Sequence, residues 1–179
     1  MRPRQSLFLA VAEPEGDLYF GRDDLLKYAG PSQLIASALV LRLLARAFAD
    51  LSPEAPPRRD TIRVLTAFPG EGVIDGIELV TRARTQGRLT IATEAGPSEA
   101  PPALPGRFYF EIRIGARGRA YWPAPGYFTD EFRELVTRHQ DGSGSPTELE
   151  AYLAYKHRLI GRLLGAPDGE LFHSREIES

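Results

Sequence analysis

"FPGEGVIDGIELVTRARTQGRL", residues 68–89, decides how this chain is read. The segment before it, "TIRVLTAF", is β-rich and mostly apolar, as a central strand is. "GVIDGIELVTRA" then reads as a short helix and "RLTIATE" as a strand. The turn between strand and helix carries Gly70 and Gly72, with Glu71 between them and Asp75 one turn further on. Arg82 and Arg84 follow at the far end. Such a turn is either ordinary strand-to-helix chemistry or the floor of a site.

Upstream, "DDLLKYAGPSQLIASALVLRLLARAFADL" is the clearest helix. Gly30 and Pro31 are expected at its start, because proline is tolerated in a first helical turn. Leu34, Ala38, Leu41, Ala45 and Phe48 recur at helical spacing, with Arg42, Arg46 and Asp50 outside that stripe. The broad apolar character over residues 35–44 predicts burial on two sides, by a sheet and by a second copy of the chain. The short apolar run at residues 7–12 reads as a first strand. It is too short to span a membrane, and the alternative reading, with Arg2 and Arg4 before it, is a signal peptide.

Downstream, residues 95–106 form a loop with four prolines. "RFYFEIRIG" alternates Phe108, Phe110, Ile112 and Ile114 with polar or amphipathic neighbours, the period of a strand with one buried face. "ARGRAYWPAPGYF" reads as a turn and an aromatic loop. Thr129 is placed to cap a helix ending near Gln140. Thr147 and Glu150 have the spacing of a capping box for a last helix ending at Gly165, before Pro167. The expected fold is a single α+β domain over 1–179. Its core lies at about 5–140, a mixed or antiparallel sheet with the long N-terminal helix packed on it. Two C-terminal helices include an extension at about 146–179.

Composition excludes several chemistries. The chain has no cysteine, so it has no disulfide, thiolate nucleophile, iron–sulfur cluster or Cys-based zinc site. A net charge of -2 gives no global case for nucleic acid or anionic membrane as partner. A cytoplasmic protein without a cofactor is expected.

Three stretches together resemble the formylmethanofuran dehydrogenase E-like family. "KYAGPSQLIASALVLRLLARA" resembles its first helix, which a His-Gly-His-x-Cys-type motif opens. "GVIDGIELVTRARTQGRL" resembles its Cys-x-x-Asp-Ala-Ile-x-x-x-Thr-x-Cys segment. "RLIGRLLGAPDGELFHSREI" resembles its ending, a helix, a proline and an exposed "ELF" before a last short strand. Asp75, Ile77, Thr81 and Gly87 match in kind. Tyr28, Gly30 and Ser32 stand where the family has His, His and Cys, and Gly72 and Ala83 where it has two further cysteines. The resemblance therefore implies the α+β core and a homodimer, but not the metal site.

The candidate site residues follow. Gly70 and Gly72, at a helix N-terminus, would let an anion approach the backbone, with Arg82 or Arg84 in support. Asp75, Glu71 and Tyr28 are the candidates for acid/base catalysis. Ser32 would line the same region, and Tyr121, Trp122, Tyr127 and Phe128 would either staple their loop to the core or wall a small-molecule pocket. The expected function is metal-independent binding of a small polar organic ligand, with acid/base turnover as an extension. An accessory or interaction protein is the alternative, and a metal or haem binder through His157 or His139 is the second.

Overall fold

The computed structural model describes residues 7–178. The stretch containing Arg2 and Arg4 lies outside them. The fold is α+β. An antiparallel hairpin, β1 (Leu9–Glu13) and β2 (Gly16–Phe20), leads into helices α1 (Arg22–Ala29) and α2 (Leu34–Leu51). Strand β3 (Ile62–Thr66), helix α3 (Glu71–Thr81) and strand β4 (Leu89–Ile91) follow, and β3 and β4 pair in parallel. Then come β5 (Phe110–Ile114), β6 (Arg117–Pro123), α4 (Asp130–His139), α5 (Pro146–Gly165), the short α6 (Asp168–Leu171) and β7 (Phe172–Glu176). The main sheet has the order β4-β3-β5-β6-β7 and is mixed, with every pair but β3–β4 antiparallel.

The long helix differs from its expectation in two ways. Gly30, at φ 103, ends α1, so Pro31 sits in the turn between two helices rather than inside the first turn of α2. Residues 37–44 are buried without interruption, Arg42 included. Eight consecutive residues cover more than two helical turns, so α2 is enclosed on all sides there. The sheet covers one side, and α3 and α5 of the same chain cover the others. The Arg42 guanidinium donates to the carbonyls of Leu163 (2.6 Å) and Ala166 (2.8 Å), at the C-terminal end of α5.

The glycines of the opening stretch are explained by packing. A Cβ at Gly72 would lie 2.3 Å from Oε1 of Gln33 and 2.9 Å from the Ala36 Cβ. A Cβ at Gly76 would lie 3.1 Å from Val40. The two glycines are one helical turn apart on α3, and their bare face lets α3 lie close against α2.

Two strands escape the sequence pattern. Tyr121 and Trp122 lie not in a loop but on β6, where they point to opposite faces of the sheet. Both sheet faces are covered there, so Ala120 and Tyr121 are buried side by side and no alternation shows. Strand β2 is exposed along most of its length. At the C-terminus, Leu171 and Phe172 are buried rather than exposed, and β7 completes the sheet beside β6. The capping box of α5 is formed by Ser145 and Glu148, two residues earlier than expected, with Pro146 at the first helical position.

Helical glycines on α3 and α5 should respond oppositely to added side chains. Gly76→Val should overpack against Val40 and cost about 1–3 kcal/mol. Gly161→Ala, where a Cβ meets open space on α5, should gain up to about 1 kcal/mol. Thermal melts by circular dichroism read both.

Candidate functional site

A cavity of about 550 Å³ opens at the carboxyl end of β3, where the chain turns into α3. Its buried end is aromatic. Phe108 stacks on Phe128 with ring centroids 4.0 Å apart, Phe132 meets Phe128 edge-on at 5.0 Å, and Phe68 lies 4.7 Å from Phe108. Ile35, Ala36 and Leu39 of α2, Val73 of α3, Val136 of α4 and Tyr152 of α5 complete the apolar lining. The outer end is polar, formed by Ser32, Gln33, Glu71, Gln140, Asp141 and Lys156.

Local sequence explains this arrangement. Thr129 Oγ1 accepts the Phe132 N–H and starts α4, which sets Phe132 and Val136 one turn apart on one face. Thr66 Oγ1 accepts the Phe68 N–H and donates to the Phe68 carbonyl, which fixes the chain as it leaves β3. A Cβ at Gly70 would lie 2.5 Å from the Phe68 ring, so this glycine makes room for that aromatic. No side chain caps α3, and Gly70, Glu71 and Gly72 border the cavity. The positive end of the α3 dipole therefore adjoins it.

Lys156 is the cation of the site. Its Nζ lies 4.8 Å from the Tyr152 ring centroid and donates to the Ser32 carbonyl at 3.4 Å. Burial lowers the Lys156 pKa. Among the described residues it forms no ion pair. Glu71 and Asp141 share the polar end but neither pairs with Lys156 within 4.0 Å, so its ammonium group keeps donor capacity for a ligand anion.

The structure gathers only part of the expected site. Ser32, Gly70, Glu71 and Gly72 line the cavity. Asp75 is half-buried and lies outside the lining. Tyr28 is half exposed near the end of α1. Tyr121 faces α2, and its hydroxyl donates to Asp50 at 3.2 Å. Burial and the Asp50 charge raise the Tyr121 pKa. Trp122 lies on the opposite sheet face, with the Arg175 guanidinium 5.7 Å from its ring. The Tyr127 ring packs under the Arg162 guanidinium at 4.8 Å. The sequence reading missed Phe68, Phe108, Phe132 and Lys156. Phe128 of the aromatic cluster does line the cavity, and the spacing of Phe132 and Val136 behind the Thr129 cap was the signal for the next part of this wall.

The buried acid of α3 is Glu78, not Asp75. Its carboxylate accepts the N–H groups of Arg84 (2.8 Å) and Thr85 (3.2 Å) and the Thr85 hydroxyl. Arg82 pairs with it at 3.5 Å. The Arg82 side chain and the Arg84 backbone are therefore tied to the C-terminal turn of α3, about 16 Å along the helix from Glu71, and the exposed Arg84 side chain starts from that same end. Burial pushes the Glu78 carboxyl up, but the Thr85 and Arg84 hydrogen bonds and the Arg82 charge outweigh it and leave the pKa lowered.

The histidines do not converge. His139 is buried, with Nδ1 2.7 Å from the Ser143 carbonyl, and its ring lies 5.4 Å from that of Tyr152. His157 is exposed on α5, not packed in a core face. Among the described residues no group of three or more His, Cys, Asp or Glu side chains is placed to hold a metal. No described helix is long and apolar enough to cross a membrane. No protein-family model matches this chain, and no curated protein sequence matches it significantly.

A depressed carboxylate pKa contributes stability that is complete above the unfolded-state value and is lost as pH falls through the folded-state value. Glu78 should therefore add an acid-side slope to unfolding free energy, beginning in the ordinary glutamate range and extending below it. Glu78→Gln should remove that slope and destabilise the protein at neutral pH. Urea unfolding across pH 2–7 measures both.

Proposed function

We propose that this protein binds a small amphipathic organic anion, without a metal, in the cavity between α2, α3, α4 and α5. The observation that carries this reading is the pairing of a deep aromatic end with Lys156 at the polar end. The fold gains little from a partly desolvated ammonium without a carboxylate partner, whereas a ligand carboxylate or sulfonate would complete it. The dipole of α3 favours the same sign of charge. Glu71 is the one expected acid/base residue at the cavity, so turnover of a bound substrate would run through Glu71 rather than Asp75 or Tyr28.

A second reading, an interaction protein acting as a homodimer, draws on the exposed apolar side chains at the hairpin. Phe8 is 57% and Tyr19 64% exposed. Membership of the formylmethanofuran dehydrogenase E-like family is likewise a proposal, resting on the three ordered segments of sequence.

The fluorescent anion 1-anilinonaphthalene-8-sulfonate tests the cavity. One equivalent should bind to the wild type. Lys156→Gln should weaken binding about tenfold, the size of one charge-assisted hydrogen bond. Val136→Trp, on α4, should fill the cavity and abolish binding. Because burial lowers the Lys156 pKa, rising pH should remove its charge earlier than for a free lysine. Wild-type affinity should then fall with pH while Lys156→Gln stays flat. Unchanged affinity in both variants would refute the reading.

A further inference from the structure

The outer face of the main sheet holds arginines that the fold does not use. Arg63 of β3 and Arg113 of β5 are register partners across the antiparallel pair. Side chains so placed share a face with Cβ atoms about 4.5–5.5 Å apart, and like charges there destabilise a sheet. Among the described residues neither arginine is in an ion pair. Both line a cleft of about 310 Å³, together with Arg88, Gly87, Thr90 and Glu111.

Arg88 is fixed in place. Its guanidinium donates to the Ile62 carbonyl and, at 2.9 Å, to the Thr81 carbonyl. Glu111 is the one carboxylate in the lining, and it already accepts the Tyr109 hydroxyl at 2.9 Å. Asp60 and Glu78 lie within Coulombic range of Arg88 and partly balance it, so Arg63 and Arg113 are the two guanidiniums of the cleft without an ion-pair partner among the described residues.

We propose that this cleft binds a phosphate-bearing small molecule, with Arg63 and Arg113 gripping its phosphate oxygens and Arg88 as a fixed positive wall. A guanidinium fork matches phosphate geometry and can donate two parallel hydrogen bonds. Two unpaired guanidiniums, Arg63 and Arg113, match a dianionic phosphate better than a single carboxylate. A bound phosphate also turns the Arg63–Arg113 repulsion into a shared attraction.

The sheet face favours a small ligand over a nucleic-acid strand. A strand needs a continuous basic groove beside exposed aromatic platforms. Here the proline-rich loop covers the neighbouring part of the face. A Cβ at Gly96 would meet the Tyr109 ring at 2.7 Å, and Tyr109 is only 2% exposed.

Inorganic pyrophosphate is the probe, read by thermal melts and isothermal titration at constant ionic strength. The wild-type melting temperature should rise saturably, by about 5–10 °C at a hundredfold excess over Kd. The Arg63→Gln/Arg113→Gln double variant should lose that rise. Without ligand and at low salt, each single variant should melt at or above the wild type, because the repulsion is relieved. An equal rise with sodium chloride, or one that survives in the double variant, would overturn the site. Single variants that melt below the wild type would overturn its premise. Tighter binding of a ten-nucleotide single strand than of pyrophosphate would overturn the small-molecule assignment.

Discussion

Helix α2 has no solvent side over residues 37–44, and the rest of the fold is arranged around that constraint. A helix enclosed in this way must satisfy any polar group it carries. Its one buried charge, Arg42, does so by donating to the carbonyls that α5 leaves open at its C-terminal end. The partner Asp168 is 91% exposed, so its attraction to Arg42 is screened by water. The carbonyl contacts are the larger effect, since losing them would leave a buried guanidinium and two chain-end carbonyls without partners. Together with the apolar packing of Leu159, Ile160 and Leu163, this side chain ties the end of α5 to the centre of the molecule.

The second contact with α2 depends on an absence of side chains. Gly72 and Gly76 leave α3 bare where it meets Gln33, Ala36 and Val40. Close approach brings the N-terminus of α3, and with it Glu71, to the cavity lip. Of the two glycines that suggest a ligand-approach loop in the sequence, Gly72 makes room for α2 and Gly70 for the Phe68 ring. Their effect on the site is indirect, through where they place α3 and that ring.

The cavity is assembled from four helices and the end of one strand, which explains its mixed chemistry. Phenylalanines from three separated segments stack into its closed end, where apolar area is best withdrawn from water. The polar groups collect where the helices diverge. Lys156 is held there at the expense of part of its hydration, as its lowered pKa records. On the far side of the sheet, the arginine cleft rests on register alone. Pairing β3 with β5 sets Arg63 against Arg113, whatever their separation along the chain.

Local order was legible in the sequence. The α+β class, the long helix, β3, α3, β4, β5 and the Thr129-capped helix all follow from periodicity, turn chemistry and caps, which act over a few residues. Strands β2 and β6 did not show, because an exposed edge strand and a strand covered on both faces lack period-2 alternation, and β7, polar but for Phe172, was implied only by the family resemblance. The site was half legible. Gly70, Glu71 and Gly72 share one strand-to-helix turn, and Ser32, from the turn before α2, joins them through packing of α2 on α3. Phe68, Phe108, Phe132 and Lys156 come from distant segments and meet only through packing on α2. The absence of cysteine, and with it of all thiol chemistry, was determined by the sequence alone. Which acid is buried, which arginines are tied down and which are left unpaired was decided by tertiary structure. Burial and partnership depend on what lies across the gap, and sequence neighbours carry no information about that.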